Sequence, residues 1–75
     1  MSITVRFFAS LRERLGREEV AIESGDTVGA VWRLATDDAE APDNLLAAVN
    51  MDYADWDAPV KDGDEVAFFP PVTGG

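Results

Sequence analysis

At 75 residues, 47 % of them hydrophobic, the chain suffices for one globular domain and is too short for a scaffold plus an enclosed catalytic pocket. Its net charge of −9 opposes nucleic acid and anionic membranes. Cysteine and histidine are both absent, which excludes disulfides, thiolate metal sites, thiol nucleophiles and the commonest general base. The acidity has two readings: solubility or a salty habitat on one side, a basic partner surface on the other. The first residues lack a basic region followed by a long apolar run, and no stretch approaches the roughly 20 apolar residues that span a bilayer. A soluble, cytoplasmic chain is expected, marginal in stability alone and favoured by a second subunit.

Ile3 to Phe7 alternates apolar and polar, the period of a half-buried strand, with Phe8 on the opposite face. Ser10 and Glu13 fit a capping box at the start of a short helix that Gly16 ends in a left-handed conformation. Glu18 to Glu23 alternates again, with Val20 and Ile22 inward, which pairs the two strands as an opening hairpin. Asp26 or Thr27 caps a second helix whose Val28, Val31, Trp32 and Ala35 share one face; Gly29 weakens it by about 1 kcal/mol against alanine. Residues 37–44, acidic and broken by Pro42, read as a loop. The apolar run Leu45 to Val49 reads as a central buried strand, and Asp52 to Val60 as irregular chain with a short edge strand near Pro59. Lys61 to Asp64 is a turn, and Glu65 to Phe69 the last strand, Val66 and Phe68 inward and Ala67 and Phe69 outward. Pro70 and Pro71 end the sheet in an extended stem. A right-handed crossover then sets a later strand parallel to the first. The fold expected is α+β, a β-grasp with a mixed sheet of about five strands packed on one main helix. It has a domain over 1–69 and a tail over 70–75.

The run Gly63-Asp64-Glu65-Val66-Ala67-Phe68-Phe69-Pro70-Pro71-Val72-Thr73-Gly74-Gly75 resembles the end of the molybdopterin synthase small-subunit family, MoaD. Leu45 to Asn50 resembles that family's central strand, Phe7-Phe8-Ala9 with Arg12, Glu13 and Gly16 its N-terminal segment, and Thr27-Val28 its helix start. The related thiamine carriers, ThiS, share the fold and the Gly-Gly ending but usually lack the Phe-Phe-Pro-Pro approach. The chain departs from the family in the short acidic loop over 37–44 and in Met51 to Asp57, with Tyr53 and Trp56.

The resemblance implies a sulfur carrier. An E1-like activating enzyme of the MoeB class would use ATP to adenylate the Gly75 carboxylate. A sulfur donor would displace AMP and leave a thiocarboxylate. The thiocarboxylate would enter the large subunit, MoaE, in a heterotetramer, and pass sulfur to cyclic pyranopterin monophosphate to build a dithiolene. The catalytic lysines would belong to the partners, so the chain is expected to be no enzyme alone and to bind no cofactor. Gly74 and Gly75 lack a Cβ and can thread a narrow channel, while Pro70 and Pro71 lower the entropy cost of inserting the stem that continues through Val72 and Thr73. A carrier for thiamine or tRNA thiolation and a ubiquitin-like protein modifier are the alternatives.

Strand alternation also sets Phe8 and Phe69 on a face away from Phe7 and Phe68, a partner-docking patch with Tyr53 at its rim or a second apolar cluster under a loop. Arg12-Glu13 is a docking pair or a solvated turn. Trp32 and Trp56 are packing residues. Asp62, Asp64 and Glu65 lack the spacing of a calcium loop, so no metal site is expected.

Overall fold

The computed structural model describes residues 2–42 and 44–71. Alternation builds β1, Ile3–Phe7, with Ile3, Val5 and Phe7 buried. Helix α1, Ala9–Leu15, follows at once and buries Leu11. Its start corrects the capping-box expectation. Phe8 holds the N-cap with extended backbone and no side-chain bond, so Ser10 lies inside the first turn, where its hydroxyl cannot cap. The Leu11 amide donates to the Phe8 carbonyl instead, at 3.2 Å. Gly16 ends α1 at a left-handed φ of 68°, as expected. Strand β2, Glu19–Ile22, pairs antiparallel with β1 and sets Val20 opposite Val5.

Helix α2, Val28–Thr36, is capped by Thr27, whose hydroxyl oxygen accepts the Ala30 amide at 3.2 Å. Val28, Val31, Trp32 and Ala35 are all buried, on the face the spacing predicts. Gly29 has a use the helix propensity does not show. Its N–H donates to the Trp56 carbonyl at 2.8 Å, and a Cβ there would stand 3.3 Å from that oxygen. The glycine lets the following loop lie against the helix.

Strands β3, Leu46–Val49, β4, Asp52–Ala54, and β5, Glu65–Phe69, complete a five-stranded sheet in the order β2-β1-β5-β3-β4. Strand β5 runs parallel to β1 and antiparallel to β3. The centre therefore belongs to β5, whose Val66 and Phe68 are wholly buried, and the Leu45 to Val49 run lies one place further out. The edge strand also moves. It is β4, folded back on β3 by the two-residue turn Asn50-Met51, both at positive φ (50° and 73°). Pro59 forms only an isolated bridge to Thr27, since it has no N–H to extend a ladder.

Helix α2 covers one face of the sheet and closes an aromatic core. Phe7 and Phe68 stack at 6.1 Å, and Trp32 meets Phe68 edge-on at 5.0 Å. The Trp32 indole N–H donates to the Ala39 carbonyl at 2.8 Å. Trp56 stacks on Phe68 from the sheet's margin, at 5.9 Å. Both tryptophans are packing residues, as expected. Mixed sheet, crossover and one main helix make an α+β, β-grasp fold.

Candidate functional site

The face of the sheet turned away from α2 carries the site. One row of aligned residues crosses all five strands: Tyr53, Ala48, Ala67, Arg6 and Glu19. The two alanines at its centre leave a shallow floor. Arg6 and Tyr53 stand on either side, Phe8 and Phe69 close one end, and Met51 and Glu65 the other. Together they enclose an open groove of about 320 Å³. The structure thus brings Phe8, Tyr53 and Phe69 onto one surface. Phe69 and Tyr53 touch at 5.9 Å between ring centres.

Each wall has a local cause. Phe8 is the first residue after β1, and its amide still donates to the Phe68 carbonyl at 3.2 Å. That bond holds the backbone extended and keeps the ring, 44 % exposed, beside Phe69. The Asn50-Met51 turn leaves Met51 and Tyr53 91 % and 80 % exposed. Together these side chains form an exposed apolar patch on this face of the sheet.

Arg6 is fixed by carboxylates. Its Nε donates to Glu19 at 3.0 Å and stands 3.7 Å from Glu65. The Glu19 hydrogen bond, then the charge of Glu65, push its pKa further up. Beyond Glu65, Asp64 accepts from the Lys61 backbone N–H and from the Asn50 side-chain amide, both at 3.0 Å. Those bonds, the Lys61 one first, hold the Asp64 carboxyl below the usual aspartate range. The Asn50 side-chain oxygen accepts the Glu65 amide at 3.0 Å, which ties the β3–β4 turn to the start of β5. Asp64 is engaged in this structural network, and Glu65 faces Arg6. Arg12 lies 3.8 Å from Glu18 on an exposed surface. Among the described residues, no three His, Cys, Asp or Glu side chains converge.

Strand β5 leads directly from this groove to Pro70, partly buried, and Pro71, exposed. The tail positions Val72, Thr73, Gly74 and Gly75, singled out from the sequence, lie outside the described residues. Sequence reasoning missed Ala48, Ala67, Arg6 and Met51. Small residues at alternate positions of two neighbouring strands were the available signal, but alanine alone does not distinguish a floor from a tight core. Among the described residues, no helix is long and apolar enough to cross a membrane.

The profile of the ThiS family matches residues 5–75. This chain belongs to the ThiS family. Its relatives within that family carry a narrower name. The "Molybdopterin synthase sulfur carrier subunit" of Escherichia coli is 44 % identical, across 97 % of this chain and 99 % of that protein. The protein of the same name from Mycobacterium tuberculosis is 35 % identical, across all of this chain and 99 % of its own length. Among solved structures, small archaeal modifier protein 1 of Haloferax volcanii superposes with a TM-score of 0.77 at 32 % identity, covering both chains fully. A chain from the complex of subunits 1 and 2 of the molybdopterin-converting factor of Helicobacter pylori superposes at 0.71 with 28 % identity, again over both whole chains. This ThiS-family member therefore matches along its whole length the Mycobacterium tuberculosis protein, which bears the name of a subunit.

Proposed function

We propose that this chain is the sulfur carrier subunit of molybdopterin synthase, with the carboxylate of Gly75 as the group that carries sulfur. The observation that carries the reading is the full-length likeness to proteins of that name, 44 % identical in the Escherichia coli case. The carboxylate is a poor acyl donor. An E1-like enzyme of the MoeB class activates it with ATP as the acyl adenylate, and a sulfur donor displaces AMP to give the thiocarboxylate. The large subunit then takes the tail, and sulfur passes to cyclic pyranopterin monophosphate in two transfers that build the dithiolene. The setting is the cytoplasm and the assembly a heterotetramer.

The chain's own share of this work is binding and presentation. The Phe8, Tyr53 and Phe69 surface docks the larger subunit, and the Pro70-Pro71 stem directs Gly74-Gly75 into its active site. A partner side chain laid on the Ala48-Ala67 floor buries apolar area worth about 1.5–3 kcal/mol. No group of this chain is asked to move a proton, in keeping with the lack of histidine and cysteine. The likeness to small archaeal modifier protein 1 supports a second reading, attachment of Gly75 to lysines of other proteins. Carriage of sulfur to thiamine or tRNA is the neighbouring alternative.

Intact-mass spectrometry after incubation with the activating enzyme, ATP and a sulfur donor tests the reading. The expected product is heavier by the difference between one sulfur and one oxygen. Failure of Gly75 to form either adenylate or thiocarboxylate overturns it, and so does molybdopterin synthesis that survives deletion of Gly75.

A further inference from the structure

The groove over Ala48 and Ala67 has walls that suit an apolar guest and a charge that does not. The identity of its guest, which rests on the groove being the surface that docks the large subunit, is set by that charge. Arg6 stands between Glu19 and Glu65, so one positive group faces two negative ones. Its Nε donates a hydrogen bond to Glu19 at 3.0 Å, outside the groove lining. Glu65 does line the groove and lies 3.7 Å from the same nitrogen, beyond hydrogen-bond range. The Glu65 side chain is 43 % exposed and still depends on water.

A partner that closes over the groove strips that water away. A purely apolar guest would leave the excess negative charge dehydrated and unpaired, and a carboxylate would add a like charge. A cationic guest removes the excess, and the chain's net charge of −9 attracts it from a distance. Shape narrows the choice further. Glu65 and Ala67 lie on the same face of β5, two residues and about 7 Å apart along the strand. A long aliphatic stem can therefore rest on the alanine floor while its head meets Glu65. Tyr53, aligned with Ala48, offers its ring on the same groove. A planar guanidinium stacks on such a ring and gives a carboxylate two donors at once, which a lysine ammonium does not.

We propose that the groove receives an arginine side chain of the large subunit, its stem on the Ala48-Ala67 floor and its guanidinium against Tyr53 and paired with Glu65. The aliphatic part fills the apolar floor, and the charged head meets the one carboxylate that the fold leaves at the groove's end. Arg6, held by Glu19, keeps its own charge on the far side of Glu65's row.

Phenylglyoxal footprinting of the large subunit, alone and in complex with this chain, identifies the arginines that the complex shields. Each shielded arginine is changed to methionine and combined with Glu65→Gln in a double-mutant cycle read by titration calorimetry. One of them is expected to couple to Glu65: either single change weakens capture by about tenfold or more, and the second adds little to the first. Glu19→Gln disturbs Arg6 without touching the groove lining and is expected to leave capture nearly unchanged. The proposal is overturned if no arginine is shielded, if none of the shielded ones couples to Glu65, or if Glu19→Gln weakens capture as much as Glu65→Gln does. Phe69→Ala tells the two levels apart. Capture weakened by Phe69→Ala but not by Glu65→Gln removes the arginine and leaves the docking surface standing. Capture indifferent to both overturns the arginine and the docking surface together.

Discussion

The two faces of β5 differ by a single residue of register and do opposite work. Val66 and Phe68 point to α2 and are wholly buried, while Ala67 and Phe69 point to the open groove. Adjacent phenylalanines thus face opposite ways, Phe68 into the core and Phe69 into the groove proposed for docking. The strand alternation that builds the core also delivers the open groove at the end of β5, with no extra element needed.

Substitutions on β5 separate the faces. Phe68→Ala removes the ring that Phe7, Trp32 and Trp56 all touch, and is expected to cost about 3–5 kcal/mol in denaturant unfolding. Phe69→Ala is expected to change stability far less and to weaken capture by the large subunit by about 2 kcal/mol in a titration calorimetry experiment. Equal effects of the two on stability would erase the distinction. Ala67→Leu sharpens it further, because it fills the groove floor without entering the core. Large-subunit affinity should fall about tenfold or more, as for a lost well-packed anchor, with the unfolding midpoint little moved.

How much of this was legible in advance depends on the range of the interactions. Alternation and helical spacing are local, and they located β1, β2, α2 and β5 with their buried faces. The β3–β4 pairing was not legible, because its turn lacks the usual Asn-Gly pair. Asn50 takes the left-handed conformation with its side chain bonded to Asp64 and to the Glu65 amide, fourteen and fifteen residues on. Met51 follows at positive φ with no local signal. Ser10 misled for the converse reason: a good local cap pattern yields to the Phe8-to-Phe68 bond that sets the helix start. Phe8 and Phe69 were readable as one patch, since parity fixes their face. Their groove was not, since it needs the order of all five strands.

The Asn50-Asp64 network gives the next effect in size. The folded Asp64 pKa lies below its ordinary 3.8, so its stabilising contribution is full above that value and is lost as pH falls through the folded value. Asp64→Asn is expected to lower the thermal midpoint at neutral pH and to flatten the acid limb of the stability profile. An unchanged acid limb would remove Asp64 from that role. The smallest effect concerns the charge of −9. Screening relieves the repulsion among acids, so the midpoint should rise by a few degrees from low salt to molar salt. A fall would mean that the arginine ion pairs outweigh that repulsion.

The tail is rooted in the sheet's central strand, held by β1 on one side and β3 on the other. This has a mechanical consequence. A partner that draws the tail into a channel pulls along β5, so the load falls on both hydrogen-bond ladders in shear at once. An edge strand under the same pull would have a single ladder to carry the load. A domain pulled by this end is therefore held against unravelling by two ladders rather than one.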